Sequence, residues 1–151
     1  MNPPVIAADA IPLLRPLPKT AVFWKDTEIS YSDLLAHSAA LAALFPSAAG
    51  DRIVVFSENR PEWISALFAI WRNGCVVVPV DSFSPANEVA YILGQVKPVA
   101  IFCSAKTTPV VHEALRSLPA LTPRLLCFDS EDFPALPANS APSAAVSAGS
   151  S

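Results

Sequence analysis

Between residues 52 and 128 the chain repeatedly alternates short apolar runs with longer amphipathic segments, and this rhythm restricts the class of fold. The apolar runs are continuous, as in strands that are buried on both faces. The segments between them begin near Pro61, Pro85 and Pro109, and proline suits a first helical turn because its missing N–H has no partner there. The pattern predicts an α/β fold, a partial doubly wound parallel sheet with helices on both faces. Its four strands are expected at 52–56, 75–80, 99–103 and 125–128.

A small β-hairpin is predicted ahead of this sheet, because two short apolar runs enclose the polar turn 25–27. Ser30 is a favourable N-cap, and Asp33 stands at the third helical position in a variant of the capping box. A helix is therefore expected from residue 31 to about residue 45, where Pro46 ends it.

The composition changes at both ends of the chain. Residues 1–18 contain five prolines and predict an extended leader, which is followed by a partial N-terminal subdomain over residues 19–129. From Ser130 onward Pro, Ala and Ser dominate, and residues 134–151 carry no charge and only one Leu and one Val. Such a segment cannot build a core. Residues 130–151 are therefore expected to form a disordered tail, of which residues 134–151 pack on nothing.

Charge and composition argue against several classes of function. Charged residues make up only 15% of the chain and the net charge is −3 without a basic run, which disfavours nucleic acid as a partner. No transmembrane segment is predicted, because the most apolar helical segment, Trp63 to Trp71, is too short to span a bilayer. Prolines interrupt the start of the chain and leave no convincing targeting signal, so a cytoplasmic location is predicted.

The three cysteines are predicted to be buried free thiols in a reducing compartment. Cys75, Cys103 and Cys127 each lie within or beside an apolar run. Their spacing fits no zinc pattern, and an odd number is a poor basis for a disulfide framework. No metal site is therefore predicted.

Polar residues that follow two of the strands are the candidate site. Glu58 and Asn59 come after the first strand, and Asp81 and Ser82 come after the second. Ligands of open α/β folds bind beyond the carboxyl ends of strands, which makes these four residues substrate-side candidates. Acidic residues at such places also serve as helix caps or turn formers, so a structural role stays open. No residue is nominated as catalytic.

The two histidines are not expected to take part in chemistry. His37 and His112 lie on separate predicted helices, and the sequence nominates no nucleophile or metal partner for either of them. Both are predicted to be surface or boundary residues.

Five segments in order resemble motifs of the acyl-adenylate-forming enzymes, the AMP-dependent synthetases and ligases. This family includes acyl-CoA synthetases, luciferases and the adenylation domains of peptide synthetases. The resemblance covers roughly residues 20–106. The matching segments are Glu28–Leu34, Gly50–Val54, Asn59–Trp63, Trp71–Asp81 and Pro85–Leu93.

The resemblance implies a reaction in which a carboxylate and ATP give an acyl-adenylate, followed by transfer to a thiol such as coenzyme A. It implies ATP, magnesium and coenzyme A as cofactors of the parent family, and a phosphate loop ending in Gly-x-Pro-Lys. Residues 147–151 are the only candidate for that loop, and they lack the second Gly, the Pro and the Lys. The resemblance also implies that these segments build part of the scaffold and line one side of the acyl pocket. The expectation is an N-terminal fragment that binds no cofactor and is inactive alone.

Two other interpretations stay open. The chain could be a non-catalytic subunit or scaffold module, completed by the remainder of a split synthetase or associating with itself through an open sheet edge. It could also be an independent flavodoxin-like domain that binds a small molecule.

Overall fold

The computed structural model describes residues 20–137 and the backbone of residues 139–140. The predicted leader, residues 1–18, and residues 141–151 of the predicted tail lie outside this part of the chain. The strands are β1 (Thr20–Trp24), β2 (Thr27–Ser30), β3 (Arg52–Phe56), β4 (Val76–Val80), β5 (Ala100–Cys103), β6 (Arg124–Cys127) and β7 (Asn139–Ser140). The helices are α1 (Tyr31–Ala42), α2 (Pro61–Arg72), α3 (Ala86–Val96) and α4 (Thr108–Arg116).

The predicted hairpin and helix start are confirmed. Strands β1 and β2 pair in the antiparallel direction, and Lys25 in their turn has a left-handed φ of 54°. The Ser30 hydroxyl accepts a hydrogen bond from the Asp33 N–H at 3.0 Å, and the Asp33 carboxylate accepts the Ser30 N–H at 3.4 Å. This reciprocal capping box begins α1 at Tyr31. Helix α1 ends at Ala42, three residues before the predicted end.

A parallel sheet with the strand order β4-β3-β5-β6 forms the body of the molecule. Helix α2 connects β3 to its neighbour β4, and α3 then carries the chain past β3 to β5 on its other side. Helices α1 and α2 contact each other, and so do α3 and α4. Each pair covers a separate apolar cluster, and β3 contributes Ile53 and Val55 to one cluster and Val54 and Phe56 to the other. The predicted doubly wound α/β architecture is confirmed.

Residues 130–140 differ from the predicted tail, because those that the structure describes contact the folded body. The Phe133 ring lies 5.4 Å from the Phe128 ring, and the Pro134 carbonyl accepts a hydrogen bond from His37 Nε2 at 2.9 Å. Strand β7 pairs with β2 in the antiparallel direction. The expectation that residues 134–151 pack on nothing is therefore wrong for Pro134 and for the backbone of Asn139 and Ser140, whereas the domain boundary at residue 130 stays a prediction. The average composition of the tail did not reveal the effect of one large apolar side chain, Phe133. Burying its ring against Phe128 is favourable enough to hold the adjacent residues against the folded body.

His37 is also placed differently from its prediction. Its exposed fraction is only 2%, because the Phe133–Pro134 segment covers this side of α1. His112 is exposed on α4, as expected for a surface histidine.

The thiols of Cys75 and Cys103 are free and buried, as predicted, and Cys127 is free and partly exposed. No helix in the described part of the chain has the length and apolar character needed to cross a membrane.

Candidate functional site

The carboxyl ends of the four parallel strands carry most of the polar side chains that the sheet positions. Helix α2 leaves β3 toward one face of the sheet, whereas α4 leaves β5 toward the other. The neighbouring strands β3 and β5 therefore form a topological switch point, where open α/β sheets have a crevice beyond the strand ends. Two corners result at this edge of the sheet. The closed corner lies between β3, β5 and β6, and the open corner lies between β3 and β4.

Hydroxyl groups that follow β5 fill the inner part of the closed corner. Ser104 is fully buried, and its Oγ donates to Glu58 Oε1 at 2.7 Å. Thr107 Oγ1 donates to the Phe56 carbonyl at 2.6 Å and accepts the Ser104 N–H at 3.0 Å. These bonds join the end of β3 directly to the turn after β5.

Arg60 fills the outer part of the closed corner and binds three carboxylates. Its Nη1 and Nη2 donate to the two oxygens of Asp129 at 3.0 and 2.9 Å, in a bidentate pair. Its Nε donates to Glu62 at 2.9 Å, and Nη1 lies 3.5 Å from Glu58. The guanidinium also stands 5.4 Å from the centroid of the Phe128 ring, within the range of a cation–π contact. The corner is thus closed by ion pairs that three carboxylates form with one guanidinium.

The charged groups of the closed corner stabilise one another in their ionised forms. Burial alone would lower the pKa of Arg60, but the hydrogen bonds to Asp129 and Glu62 outweigh it and raise that pKa above its usual value. The bond from Arg60 holds the pKa of Asp129 below its usual range against the opposing effect of burial. Burial would raise the pKa of Glu58, yet the bond from Ser104 and the charge of Arg60 lower it on balance.

The open corner contains a cleft of about 420 Å³. It brings together all four predicted substrate-side candidates, which are Glu58, Asn59, Asp81 and Ser82. Ser57, Trp63 from α2 and the end of β4 complete its lining together with Phe83, which is 80% exposed. The structure therefore places the candidates in one cleft, and their role as substrate contacts remains a prediction.

Two of the four candidates also have a structural role. Asp81 accepts the Phe83 N–H at 2.9 Å, which shapes the turn after β4. Glu58 belongs to both corners, since its carboxylate lines the cleft and accepts the Ser104 hydrogen bond. Lys106 extends over the exposed Phe83 ring, with its Nζ 4.9 Å from the ring centroid.

The cleft offers hydrogen-bonding groups and aromatic surface, and the described residues show no catalytic constellation. No His, Cys, Asp or Glu group of three or more that could hold a metal ion is found between residues 20 and 137. His37 donates to the Pro134 carbonyl and contacts Phe133, and it does not line the cleft.

Sequence reasoning did not bring Arg60, Ser104 and Asp129 together as one cluster. A signal was present, because each of them follows a strand just as Glu58 and Asp81 do. The pairing itself carried no local pattern, since Arg60 and Asp129 are 69 positions apart.

Comparisons with known proteins agree with this architecture. A model of the AMP-binding enzyme family matches residues 14–149. Over 74 residues the chain is 39% identical to the long-chain-fatty-acid–CoA ligase FadD15 of Mycobacterium bovis, a match that covers 48% of this chain and 12% of that protein. It is 29% identical over 100 residues to the D-alanine–D-alanyl carrier protein ligase of Staphylococcus haemolyticus, covering 66% of this chain and 20% of that protein.

Among solved structures, a benzoate CoA ligase from Burkholderia xenovorans superimposes with a TM-score of 0.71. The identity is 19%, and the match covers 80% of this chain and 25% of the ligase. This likeness concerns the fold. The chain spans 12% of the length of the curated fatty-acid ligase that it matches, which is a small part of a much longer protein.

Proposed function

Because the chain belongs to the AMP-binding enzyme family, we propose that it is the N-terminal part of an ATP-dependent ligase that joins a carboxylic acid to coenzyme A through an acyl-adenylate. The observation that carries this proposal is the family match over residues 14–149, on a fold shared with an acyl-CoA ligase. The likeness to FadD15 favours a fatty acid as the substrate. A cytoplasmic location, where ATP and coenzyme A are available, is part of the same proposal.

Within such an enzyme this segment serves as scaffold, and its open corner forms one wall of the acid-binding pocket. Support comes from the cleft, which combines the aromatic rings of Trp63 and Phe83 with polar groups at the strand ends. Its two carboxylates, Glu58 and Asp81, would repel the carboxylate of the substrate at close range. We therefore expect the uncharged part of the acid to face this wall, while the reacting carboxylate points away from it.

The 151-residue polypeptide by itself is proposed to be inactive in adenylation. Its sequence holds no Gly-x-Pro-Lys phosphate loop, and loops of this kind bind phosphates through backbone N–H groups. ATP, magnesium and coenzyme A would bind to other parts of the ligase.

The alternative of a flavodoxin-like binder shares the strand order, since β4-β3-β5-β6 corresponds to the order of that fold. Such proteins bind their ligand at the switch point. Here Arg60 binds Asp129 and Ser104 binds Glu58, and these hydrogen-bonded side chains occupy that position, which disfavours a ligand between β3 and β5.

The alternative of a subunit completed by a partner rests on the sheet edges. On β4, the Val76 N–H donates to the Asp51 carbonyl and therefore points toward β3. Backbone groups alternate in direction along a strand, so those of Pro79 point to the outer edge. Because proline has no N–H, this edge is less able to pair with an added strand. On β6, the N–H groups of Arg124 and Phe128 donate hydrogen bonds toward β5. By the same alternation, the N–H and C=O of Leu125 point to the outer edge, where they are free to pair with an added strand. If a partner adds a strand, we expect it at β6.

The test of the proposed function is ATP–pyrophosphate exchange with a panel of fatty and aryl acids. The 151-residue chain should give no exchange above an empty-vector preparation, and clear turnover would contradict its proposed inactivity. In a second arm, residues 20–137 replace the matching segment of the benzoate CoA ligase. The graft should adenylate with a changed acid preference, and the unaltered ligase is the control. A folded graft that is inactive with every acid would contradict the role as a pocket wall.

A further inference from the structure

Two cysteines stand at directly paired positions on neighbouring strands. Cys103 ends β5 and Cys127 ends β6, and the two residues are partners in the parallel register. Both side chains belong to the apolar cluster beneath α3 and α4, so they lie on the same face of the sheet. Paired residues on neighbouring strands have Cα atoms about 4.8 Å apart, which is within the range that a disulfide spans.

Both sulfur atoms contact the same hydroxyl group. Thr108 Oγ1, at the start of α4, lies 3.3 Å from Cys103 Sγ and 3.7 Å from Cys127 Sγ. The hydroxyl donates its proton to the Ser104 carbonyl at 2.7 Å, which holds it beside both thiols.

The two thiols differ in their access to solvent. Cys103 is fully buried, whereas Cys127 is partly exposed on the edge strand. Burial raises the pKa of Cys103 to about 11 against the lowering effect of the Thr108 contact, and the adjacent Cys127 adds to the rise. An oxidant from solvent therefore meets Cys127 first, with a protonated Cys103 thiol directly behind it.

We propose that Cys103 and Cys127 form a reversible redox pair, which a peroxide oxidises to an intramolecular disulfide. In the first step the Cys127 sulfur attacks hydrogen peroxide, an S–O bond forms as the O–O bond breaks, and one water leaves. In the second step the Cys103 sulfur attacks the Cys127 sulfenic acid, the S–S bond forms as the S–O bond breaks, and the Cys103 proton leaves with the hydroxide as water. Two thiols lose two electrons and two protons, and one peroxide becomes two waters.

The strand geometry makes this disulfide a reducible one. Its Cβ atoms need to approach to about 3.8 Å, which is closer than the spacing of neighbouring strands. Forming the bond must therefore tilt the two side chains toward each other and shift the strand ends locally, and the resulting strain favours reduction. The shift is transmitted to the closed corner, because Ser104 follows Cys103 and Asp129 lies two positions after Cys127.

Cys75 is a matched control within the same chain. It is buried in the opposite apolar cluster, and its thiol contacts Ser47 Oγ at 3.3 Å. In an unfolded chain Cys103 would pair with Cys75 about as readily as with Cys127, because the two separations in sequence are similar and loop closure depends only weakly on length.

The experiment treats the reduced full-length chain with hydrogen peroxide at low protein concentration and maps the cross-links by mass spectrometry. We expect a single Cys103–Cys127 disulfide with a loss of two hydrogen atoms, fully reversed by dithiothreitol. The Cys75→Ser variant should behave like the original chain, whereas Cys103→Ser and Cys127→Ser should lose the cross-link. A chain oxidised in guanidinium chloride should give mixed pairings.

Three results would overturn the proposal. One is separate oxidation of Cys127 to a sulfinic acid while Cys103 remains a free thiol. Another is a native chain that forms Cys75 cross-links as readily as the unfolded chain. The third is survival of the intramolecular cross-link in the Cys103→Ser variant.

Discussion

The closed and open corners share Glu58 and the same edge of the sheet, yet their carboxylates have different partners. In the closed corner every carboxylate meets Arg60, and Ser104 is buried against Glu58. In the open corner the Asp81 carboxylate accepts a backbone N–H of its own turn, and the cleft remains accessible. Polar residues after strands therefore have two different uses. Ion pairs and hydrogen bonds between distant residues give one set a structural role, whereas the other set stays accessible in the cleft.

The largest expected effect comes from removing the cation of the closed corner. Arg60→Ala would leave Glu58, Glu62 and Asp129 near one another without their shared partner. Removing one partner of a buried ion pair is strongly destabilising, and because these pairs are partly exposed to solvent we expect a smaller loss of about 2.5 kcal/mol in the free energy of unfolding in urea. Arg116→Ala, at an exposed position on α4, is the control and should change it by less than about 0.5 kcal/mol. Equal losses in the two variants would remove the distinction between the corners.

A smaller effect is expected from the segment that follows the closed corner. Phe133→Ala removes ring contacts with Phe102 and Phe128 and uncovers His37. Because the ring is only partly buried, we expect a loss of about 2 kcal/mol in the free energy of unfolding, below the usual range for a core phenylalanine. Phe83→Ala in the open corner removes the same side chain from an 80% exposed position and should be nearly neutral. A neutral Phe133→Ala variant would restore the prediction of an unpacked tail.

The pH dependence of stability should reveal the buried His37. Burial lowers its pKa from the usual 6.5, although the Pro134 bond and the Glu62 charge oppose the shift. Below pH 6.5 the unfolded chain therefore takes up a proton that the folded chain resists, so stability is lost as the pH falls from above 6.5 toward the lower pKa of the folded state. We expect the free energy of unfolding in urea to fall between about pH 7.5 and pH 5.5, with a slope that cannot exceed about 1.4 kcal/mol per pH unit for one proton.

The His37→Gln variant keeps a side-chain N–H donor but cannot titrate, and it should flatten this pH dependence. The control variant His112→Gln changes an exposed residue on α4 and should preserve the pH dependence. An unchanged slope in His37→Gln would show that another group is responsible.

The smallest expected effect compares one serine from each corner. Ser104→Ala leaves a partly buried Glu58 oxygen without its hydroxyl donor and should cost about 1 kcal/mol of unfolding free energy. Ser82→Ala, on the lining of the open cleft, should change stability by less than about 0.5 kcal/mol. If the Ser82 variant is the more destabilised of the two, the open corner is structural and the substrate-side candidates lose their support.

Most of the scaffold could be predicted from local patterns. The runs at 52–56, 75–80 and 99–103 correspond to β3, β4 and β5 within a residue, because strands buried on both faces must be apolar throughout. Pro61 begins α2 as predicted. The four substrate-side candidates were found by their position after strands, and the sheet brings them into one cleft.

What could not be predicted depends on contacts between distant parts of the chain. The burial of His37 requires Phe133 and Pro134, and Pro134 lies 97 positions after it in the sequence. The composition of the segment 130–137 correctly indicates few core residues. It does not indicate that the single ring of Phe133 packs against Phe128.

By itself the sequence determined the strands, the helix starts and the family of this protein, because these depend on short-range periodicity, capping residues and proline positions. Only the tertiary structure decided which polar residues at the strand ends form ion pairs and hydrogen bonds with distant residues, and which line an accessible cleft. The reason is that Arg60 meets Asp129, Glu58 meets Ser104 and Cys103 meets Cys127 through the order of strands in the sheet. That order is set by the way the helices cross over the sheet, and no local pattern in the sequence records it.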